Sequence, residues 1–162
     1  MARLQGKVAL ITGIGGGMGR AAALRFTGQG AKVIGCDLVA EGAQETVHLV
    51  REAGGEIESF APVQLSDAAE ATRWVDAAAE VYGGIDILYN NASAPRFGPI
   101  DELSIEDWDF VMANELNLVF YATKAAWPHM KRRGGGVVVN VGSIAGTRGV
   151  EFMAQNAHGT AK

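Results

Sequence analysis

Glycine residues dominate the segment that follows the first apolar run of the chain, Thr12-Gly13-Ile14-Gly15-Gly16-Gly17-Met18-Gly19. Glycine lets the backbone turn sharply and lets a ligand approach it closely. A helix that begins after such a turn offers unpaired N–H groups and the positive end of its dipole to an anion. The segment predicts a pyrophosphate site at a strand-to-helix turn, although tight packing alone also explains a glycine-rich turn.

A carboxylate strengthens that prediction. Asp37 ends the second apolar run, 20 residues after Gly17. At that place a carboxylate can accept hydrogen bonds from both hydroxyls of a ribose, and it repels a 2′-phosphate. Leu38 follows, so no neighbouring cation favours NADP. The glycine turn and Asp37 together predict a dinucleotide site with NAD as the favoured cofactor.

The elements that must position these residues alternate along the chain. Five nearly unbroken apolar runs predict strands buried on both faces, at Lys7–Thr12, Lys32–Cys36, Glu56–Ala61, Ile85–Tyr89 and Val137–Val141. Stretches with helical spacing lie between them, at 18–29, 40–53, 67–82 and 101–132, and we expect Ser66 and Ser104 to cap the last two. This alternation predicts an α/β fold, a doubly wound (Rossmann) parallel sheet with helices on both faces.

Composition excludes several classes of function. The 162 residues carry a net charge of −4 with no basic stripe, which argues against nucleic-acid binding. No apolar run is long enough to span a membrane and no signal-peptide pattern begins the chain, so we expect a cytoplasmic protein. The one cysteine, Cys36, lies in a strand pattern and is expected to be buried. His48 and His129 have no metal-ligand partners in the sequence, and no metal site is expected.

With these residues in hand, the sequence resembles the short-chain dehydrogenase/reductase family over all 162 residues. Its glycine motif matches the family's TGxxxGxG, and Asn90-Asn91-Ala92-Ser93 is similar to NNAG. The segment Gly136–Gly146, reading GVVVNVGSIAG, resembles the strand and loop that carry the family's catalytic serine. The resemblance implies cofactor contacts from Thr12, Gly13, Gly17, Met18, Gly19, Asp37, Gln64, Leu65, Asn91, Ala92 and Lys162.

The resemblance also implies a catalytic set. Ser143 would donate a hydrogen bond to the substrate oxygen, and Asn114 would hold a water in a proton relay. Ala157-His158-Gly159-Thr160-Ala161-Lys162 occupies the place of the family's YxxxK, so Lys162 would bond the nicotinamide ribose. Asn114 can equally be a satisfied amide at a helix kink.

Three positions depart from the family's pattern. Gln64-Leu65 stands where members usually carry Asp-Val beside the adenine, and Ser93 replaces a glycine close to the cofactor. His158 replaces the catalytic tyrosine. A neutral imidazole accepts a proton readily near pH 7 and is a poorer donor there, which favours alcohol oxidation over ketone reduction. We therefore expect an oxidation rate that falls as the pH drops.

The sequence reaches Lys162 inside the predicted active-site helix, which we expect to begin near Ala154. We expect a fragment without the family's C-terminal part, with Val137-Val138-Val139 as an uncovered apolar edge. The substrate would be a small alcohol or ketone. Its binding site would be lined here by the loops Ser93–Pro99 and Thr147–Gln155. For a longer chain, the resemblance implies a homo-oligomer packed through the long helices.

Three functions stay open on this basis. The first is an NAD-dependent alcohol dehydrogenase or ketone reductase. The second is a catalytically impaired or regulatory NAD-binding protein, suggested by His158 and Gln64. The third is a nucleotide-sugar epimerase or dehydratase, which the glycine spacing fits less well because such enzymes usually resemble TGxxGxxG.

Overall fold

A strand overlaps each predicted apolar run, in a computed structural model that describes residues 2–149 and 153–162. The strands are β1 (Val8–Thr12), β2 (Lys32–Cys36), β3 (Glu56–Phe60), β4 (Ile87–Asn90) and β5 (Val137–Asn140). They pair in parallel in the order β3-β2-β1-β4-β5. The predicted doubly wound α/β sheet is confirmed.

The register of the sheet brings its carboxyl ends level with one another. Thr12 at the end of β1 lies opposite Cys36 at the end of β2, and Asn90 at the end of β4 lies opposite Asn140. Because β1 lies between β2 and β4, the loops that leave these strands diverge to opposite sides. That divergence opens a crevice at the point where ligands bind in doubly wound sheets.

Helices cover both faces of the sheet. They are α1 (Gly17–Thr27), α2 (Ala40–Glu52), α3 (Ala68–Val81), α4 (Ile105–Val111), α5 (Leu118–Arg132) and α6 (Asn156–Ala161). Helices α1 and α2 bury Ala23, Val47 and Val50 against one face, while α3 and α5 bury Trp74 and Ala122 against the other. The strands are therefore buried on both sides, which explains why they do not alternate apolar with polar residues.

The helix boundaries correct two expectations. Asp67, not Ser66, caps α3, because its carboxylate accepts a bond from the backbone N–H of Glu70. The expected fourth helix over 101–132 begins only at Ile105, where Ser104 caps it as expected. It is also not a regular helix throughout: a π-helical segment, Met112–Asn117, separates α4 from α5. Such segments widen the helix by one residue and re-aim the side chains within it.

Strand β5 forms one edge of the sheet, and part of its apolar surface is open to solvent. Val137 is 57% exposed and Val139 is 38% exposed, as expected from their place on an uncovered strand. Among the described residues, no helix has both the length and the apolar character that a membrane span needs.

Candidate functional site

A cavity of about 340 Å³ lies in the crevice at the carboxyl edge of the sheet. It is bordered by the loops after β1, β2, β3 and β4, and by the π-helical segment. Its lining residues are Gly13, Gly16, Asp37, Leu38, Val63, Gln64, Leu65, Asn91, Ala92, Ser93, Ala94 and Asn114. Six of the predicted cofactor residues and one predicted catalytic residue are therefore brought together around one space.

The glycine turn is shaped by close approaches that exclude side chains. Gly13 adopts a positive φ of 71°. A Cβ atom on Gly19 would lie 1.9 Å from the carbonyl oxygen of Gly13, so only glycine fits there. Helix α1 begins at Gly17 with no side-chain cap and no acidic residue in its first turn. Its free N–H groups and positive dipole end fit a pyrophosphate.

Asp37 is held in one orientation beside that turn. Its Oδ2 accepts a bond from the backbone N–H of Gly15 at 2.7 Å, and its Oδ1 accepts one from Val39 at 2.8 Å. A carboxylate offers about four acceptor positions, so two backbone bonds leave room for two hydroxyl donors. The oriented carboxylate fits the two hydroxyls of a ribose.

The sequence reading missed Arg20, which also lies beside the glycine turn. Its guanidinium donates to the carbonyl of Gly15 at 2.9 Å and to Thr46 Oγ1 at 3.0 Å, and it forms an ion pair with Glu45 at 2.6 Å. The charge of Arg20 is thus already paired. It braces the turn against α2 and is not a free cation for a 2′-phosphate.

Thr12 and Asn91 join the glycine turn to the loop after β4. The fully buried hydroxyl of Thr12 accepts bonds from the backbone N–H groups of Asn91 and Ala92, both at 2.9 Å. The side-chain amide of Asn91 donates to the carbonyls of Thr12 and Gly13. These bonds fix the two walls of the cavity relative to each other.

The remaining predicted cofactor residues differ in their surroundings. Gln64 and Leu65 line the cavity, and Leu65 is buried. Met18 projects into solvent from the first turn of α1, where its side chain is 60% exposed. The Cys36 thiol behind the turn is fully buried as expected, and this burial raises its pKa well above the ordinary value.

The two predicted substrate loops meet beside α6. The backbone N–H of Gly98 bonds the carbonyl of Ala154, and the amide of Asn156 donates to the carbonyl of Gly98. Residues 150–152 of the second loop lie outside the described residues. The contacts of the first loop with α6 bring Phe97 against the His158 ring, edge to face, with centroids 5.6 Å apart.

Ser143 and Asn114 both make local bonds. Ser143 follows β5 and accepts a hydrogen bond from the backbone N–H of Ala145, which caps a short 3₁₀ turn. The amide of Asn114 donates to the carbonyl of Phe110 at 2.9 Å, which is the bond expected of a satisfied amide at a helix irregularity. Asn114 also lines the cavity, so both interpretations of this residue remain compatible.

The residue after Asn114 makes the contacts that the sequence reading did not anticipate. Glu115 is only 1% exposed, and its Oε2 lies 2.6 Å from Nδ1 of His158. Its Oε1 accepts a hydrogen bond from the hydroxyl of Ser93 and lies 3.9 Å from Nζ of Lys162. One buried carboxylate thus contacts the loop residue Ser93 and both His158 and Lys162.

Comparison with known proteins decides the family. A family model described as short chain dehydrogenase matches residues 7–162. The chain belongs to the short-chain dehydrogenase family. Its Rossmann fold is that of the family.

The relatives of this chain include two curated bacterial proteins. An uncharacterized oxidoreductase of Thermotoga maritima is 44% identical over 147 residues, which cover 90% of this chain and 57% of that protein. A D-threitol dehydrogenase of Mycolicibacterium smegmatis is 40% identical over 145 residues, covering 90% and 55%. The chain spans little more than half the length of these relatives.

A solved structure of an NAD⁺-bound xylitol dehydrogenase superposes on 99% of this chain and 61% of its own. The TM-score is 0.93 and the sequence identity is 31%. The glycine turn of this chain therefore lies in a fold that holds a dinucleotide in a structural neighbour.

Glu115 could have been found from the sequence. The buried positions Val111, Glu115, Leu118 and Ala122 follow one another at intervals of four, three and four residues. A carboxylate at a position with core spacing is uncommon and points to a buried partner. The family motif instead marks Asn114, the residue immediately before Glu115.

Proposed function

We propose that the protein is an NAD-dependent oxidoreductase that interconverts an alcohol and a ketone. The observation that carries the proposal is that one cavity is lined by Asp37 and also by Ser93 and Asn114. Ser93 is bonded to Glu115, which in turn contacts His158 and Lys162. The cavity that Asp37 lines is therefore linked, through Ser93 and Glu115, to His158 and Lys162.

The charges around the cavity support NAD over NADP. Asp37 presents a negative charge where a 2′-phosphate would lie, and Leu38 beside it is neutral. Arg20, on the same side of the turn, is already paired with Glu45. We infer that binding a 2′-phosphate would require breaking that ion pair and overcoming the repulsion from Asp37.

The residues of this chain divide the chemistry among them. When bound, the nicotinamide accepts or donates the hydride. His158 would exchange the proton of the substrate hydroxyl, and Ser143 would donate a hydrogen bond to the substrate oxygen. Lys162, whose side chain is 8% exposed, would bond the nicotinamide ribose. Asn114 would hold a water at the cavity wall.

The relatives suggest which alcohols to test first. D-threitol and xylitol are named as substrates of one relative and of one structural neighbour. Both are polyols with secondary hydroxyl groups. We infer that a secondary alcohol with neighbouring hydroxyls is a suitable first substrate class.

The test measures cofactor binding and turnover separately. The full-length protein is titrated with NADH and NADPH by fluorescence, and NADH formation is followed at 340 nm with a panel of polyols and cyclic secondary alcohols. We expect tighter binding of NADH than of NADPH and turnover of at least one alcohol. Preference for NADPH, or no binding of either cofactor, would overturn the proposal.

A second candidate is an NAD-binding protein without turnover. The observation in its favour is that Glu115 engages both His158 and Lys162, which satisfies these groups inside the protein. In that case NADH binds, yet no alcohol or ketone in the panel changes the NADH absorbance.

We also propose a homo-oligomer formed through α5 and the π-helical segment. Leu116, Phe120 and Trp127 follow one another at helical spacing, and each is about half exposed. Apolar residues of this size on one helix face are typical of an interface. Light scattering after size exclusion should give a mass of at least two chains, and Phe120→Asp should shift it toward one.

A further inference from the structure

A buried carboxylate connects two of the departures from the family pattern. Ser93 stands where the family pattern has glycine, and His158 stands where it has tyrosine. The structure joins both to Glu115: the Ser93 hydroxyl donates to Oε1, and His158 Nδ1 lies 2.6 Å from Oε2. Both departures from the family pattern, Ser93 and His158, therefore belong to one hydrogen-bonded group.

Burial makes the charge of the Glu115 carboxylate unfavourable in free energy unless the carboxylate stays paired with its neighbours. The Glu115 side chain is fully buried and that of His158 is 12% exposed. A carboxylate without partners in such a place would cost several kcal/mol. Hydrogen bonds from Ser93 and His158 and the charge of Lys162 at 3.9 Å compensate that cost. The contact with Lys162 is an ion pair at the limit of range, whereas the contact with His158 is a short hydrogen bond.

The pairing fixes which nitrogen of His158 is available. An ionised carboxylate is only an acceptor, so Nδ1 must carry the hydrogen in its bond with Glu115. In the neutral ring, Nε2 is then an acceptor. Among residues 2–149 and 153–162, no hydrogen-bond partner of Nε2 is found. The ring of Phe97 packs edge to face against the imidazole and restricts its rotation.

We propose that Glu115 is a positioning residue that makes His158 a proton acceptor through Nε2, with Ser93 holding the carboxylate in place. The inference rests on the proposed alcohol oxidation. In that reaction the carbon of the alcohol gives a hydride to the oxidised nicotinamide, and its oxygen gives a proton to Nε2. The products are the ketone, the reduced dinucleotide and an imidazolium ion that the charge of Glu115 stabilises.

Glu115 would act on His158 as the carboxylate does in other carboxylate–histidine pairs. A carboxylate on one ring nitrogen selects the tautomer, orients the ring and stabilises its charged form, without taking up the proton itself. A tyrosine at this position has no ring nitrogen and would need no such partner. We therefore assign the buried carboxylate as the group that accompanies the replacement of tyrosine by histidine.

The decisive experiment uses Glu115→Gln in the full-length protein, with Glu106→Gln as the matched control on the exposed face of α4. Glutamine has nearly the same shape, but it carries no charge and has only one acceptor oxygen. We expect kcat to fall by about 10- to 10³-fold with KM and NADH affinity changed little. We expect no further loss when Glu115→Gln is added to His158→Ala, because the carboxylate acts through the histidine.

A second measurement does not depend on turnover. The ¹⁵N shifts of His158, assigned with His158→Gln, should report the Nδ1–H tautomer in the wild-type protein and a mixture in Glu115→Gln. An Nε2–H tautomer in the wild type, or unchanged kcat in Glu115→Gln, would overturn the inference while leaving the proposed function intact. Failure of the wild type to oxidise any alcohol would instead count against the proposed function. If Glu115→Gln does not fold, Ser93→Ala replaces it, with a smaller loss of kcat expected.

Discussion

Glu115 and His158 are 43 residues apart in the chain, yet the carboxylate of one lies 2.6 Å from the imidazole of the other. The π-helical segment presents Glu115 to the interior, and α6 presents His158 from the opposite side. The pair is joined to the cavity through Ser93, which lines it together with Asp37.

Replacing His158 with alanine should abolish most of the oxidation rate while leaving the cofactor site intact. We expect kcat to fall by about 10²–10⁴-fold, the contribution of a positioned base, with unchanged NADH affinity. Initial rates of alcohol oxidation and fluorescence titration with NADH check both statements. An unchanged kcat in His158→Ala would count against His158 as the base.

Asp37→Asn should weaken NADH binding and reduce discrimination against NADPH. A hydrogen bond to a charged group contributes about 1.5–3 kcal/mol, so the Kd for NADH should rise by about 10- to 150-fold. The Kd for NADPH should change less, because a repulsive charge is removed as well. Fluorescence titration measures both constants. Glu80→Gln, an exposed change on α3, serves as the control and should bind both cofactors as the wild type does.

Two glycines of the same turn should respond oppositely to alanine. A Cβ atom on Gly19 would lie 1.9 Å from a backbone oxygen, so Gly19→Ala should lower the free energy of unfolding by about 1–3 kcal/mol. Gly16 has open space around it and borders the cavity, so Gly16→Ala should retain stability and weaken NADH binding. Thermal unfolding and NADH titration separate the two effects. Equal stability of the two variants would contradict this prediction, because it would show that the backbone moves to accommodate a Cβ atom at position 19.

Asp86 should stabilise the fold in a pH-dependent way. Burial by itself raises the pKa of the Asp86 carboxyl. Hydrogen bonds from the Val8 N–H and from Arg133 oppose this effect, as does the charge of Lys7. Together they outweigh burial and hold the pKa below its ordinary value. A lowered pKa means that the stabilisation is complete above the unfolded value near 3.9 and is lost as the pH falls through the folded value. Asp86→Asn should therefore cost about 1–3 kcal/mol at pH 7. Urea unfolding should show that this difference shrinks below pH 4, whereas Asp101→Asn at an exposed position should have no effect at either pH.

The Cys36 thiol should resist alkylation in the folded protein. It is fully buried, and burial raises its pKa, so little thiolate forms near neutral pH. Iodoacetamide at pH 8 should leave the thiol unmodified until urea unfolds the protein, as measured by mass spectrometry. Rapid labelling of the native protein would contradict the burial of this strand.

The cofactor half of the site was readable from the sequence because its signals are local. Glycines between Gly13 and Gly19, and an acid at the end of the next strand, act through backbone geometry and strand order alone. The sheet was predictable for the same reason, since apolar runs of strand length alternate with stretches of helical spacing. Small boundary errors, such as the Asp67 cap, arise because neighbouring residues can perform the same capping role.

The contacts within the proton-exchanging half could not be predicted, because they join segments that are distant in the chain. Nothing local connects Ser93 with Glu115 or Glu115 with His158. The π-helical segment shifts the side-chain directions by one residue, so a motif match at Asn114 does not say which side chain faces the interior. Arg20 was missed for a similar reason, since its partners Glu45 and Thr46 lie on another helix.

The central place of β1 has a consequence for the growing polypeptide. One edge of β1 pairs with β2 soon after synthesis, but its other edge pairs with β4. The ribosome reaches β4 about 75 residues after β1, which takes on the order of 4–15 s at common elongation rates. During that interval the backbone groups and apolar side chains on the open edge of β1 have no native partner. A chaperone that binds short extended apolar segments should therefore engage the nascent chain before Ile87 emerges and release it afterwards.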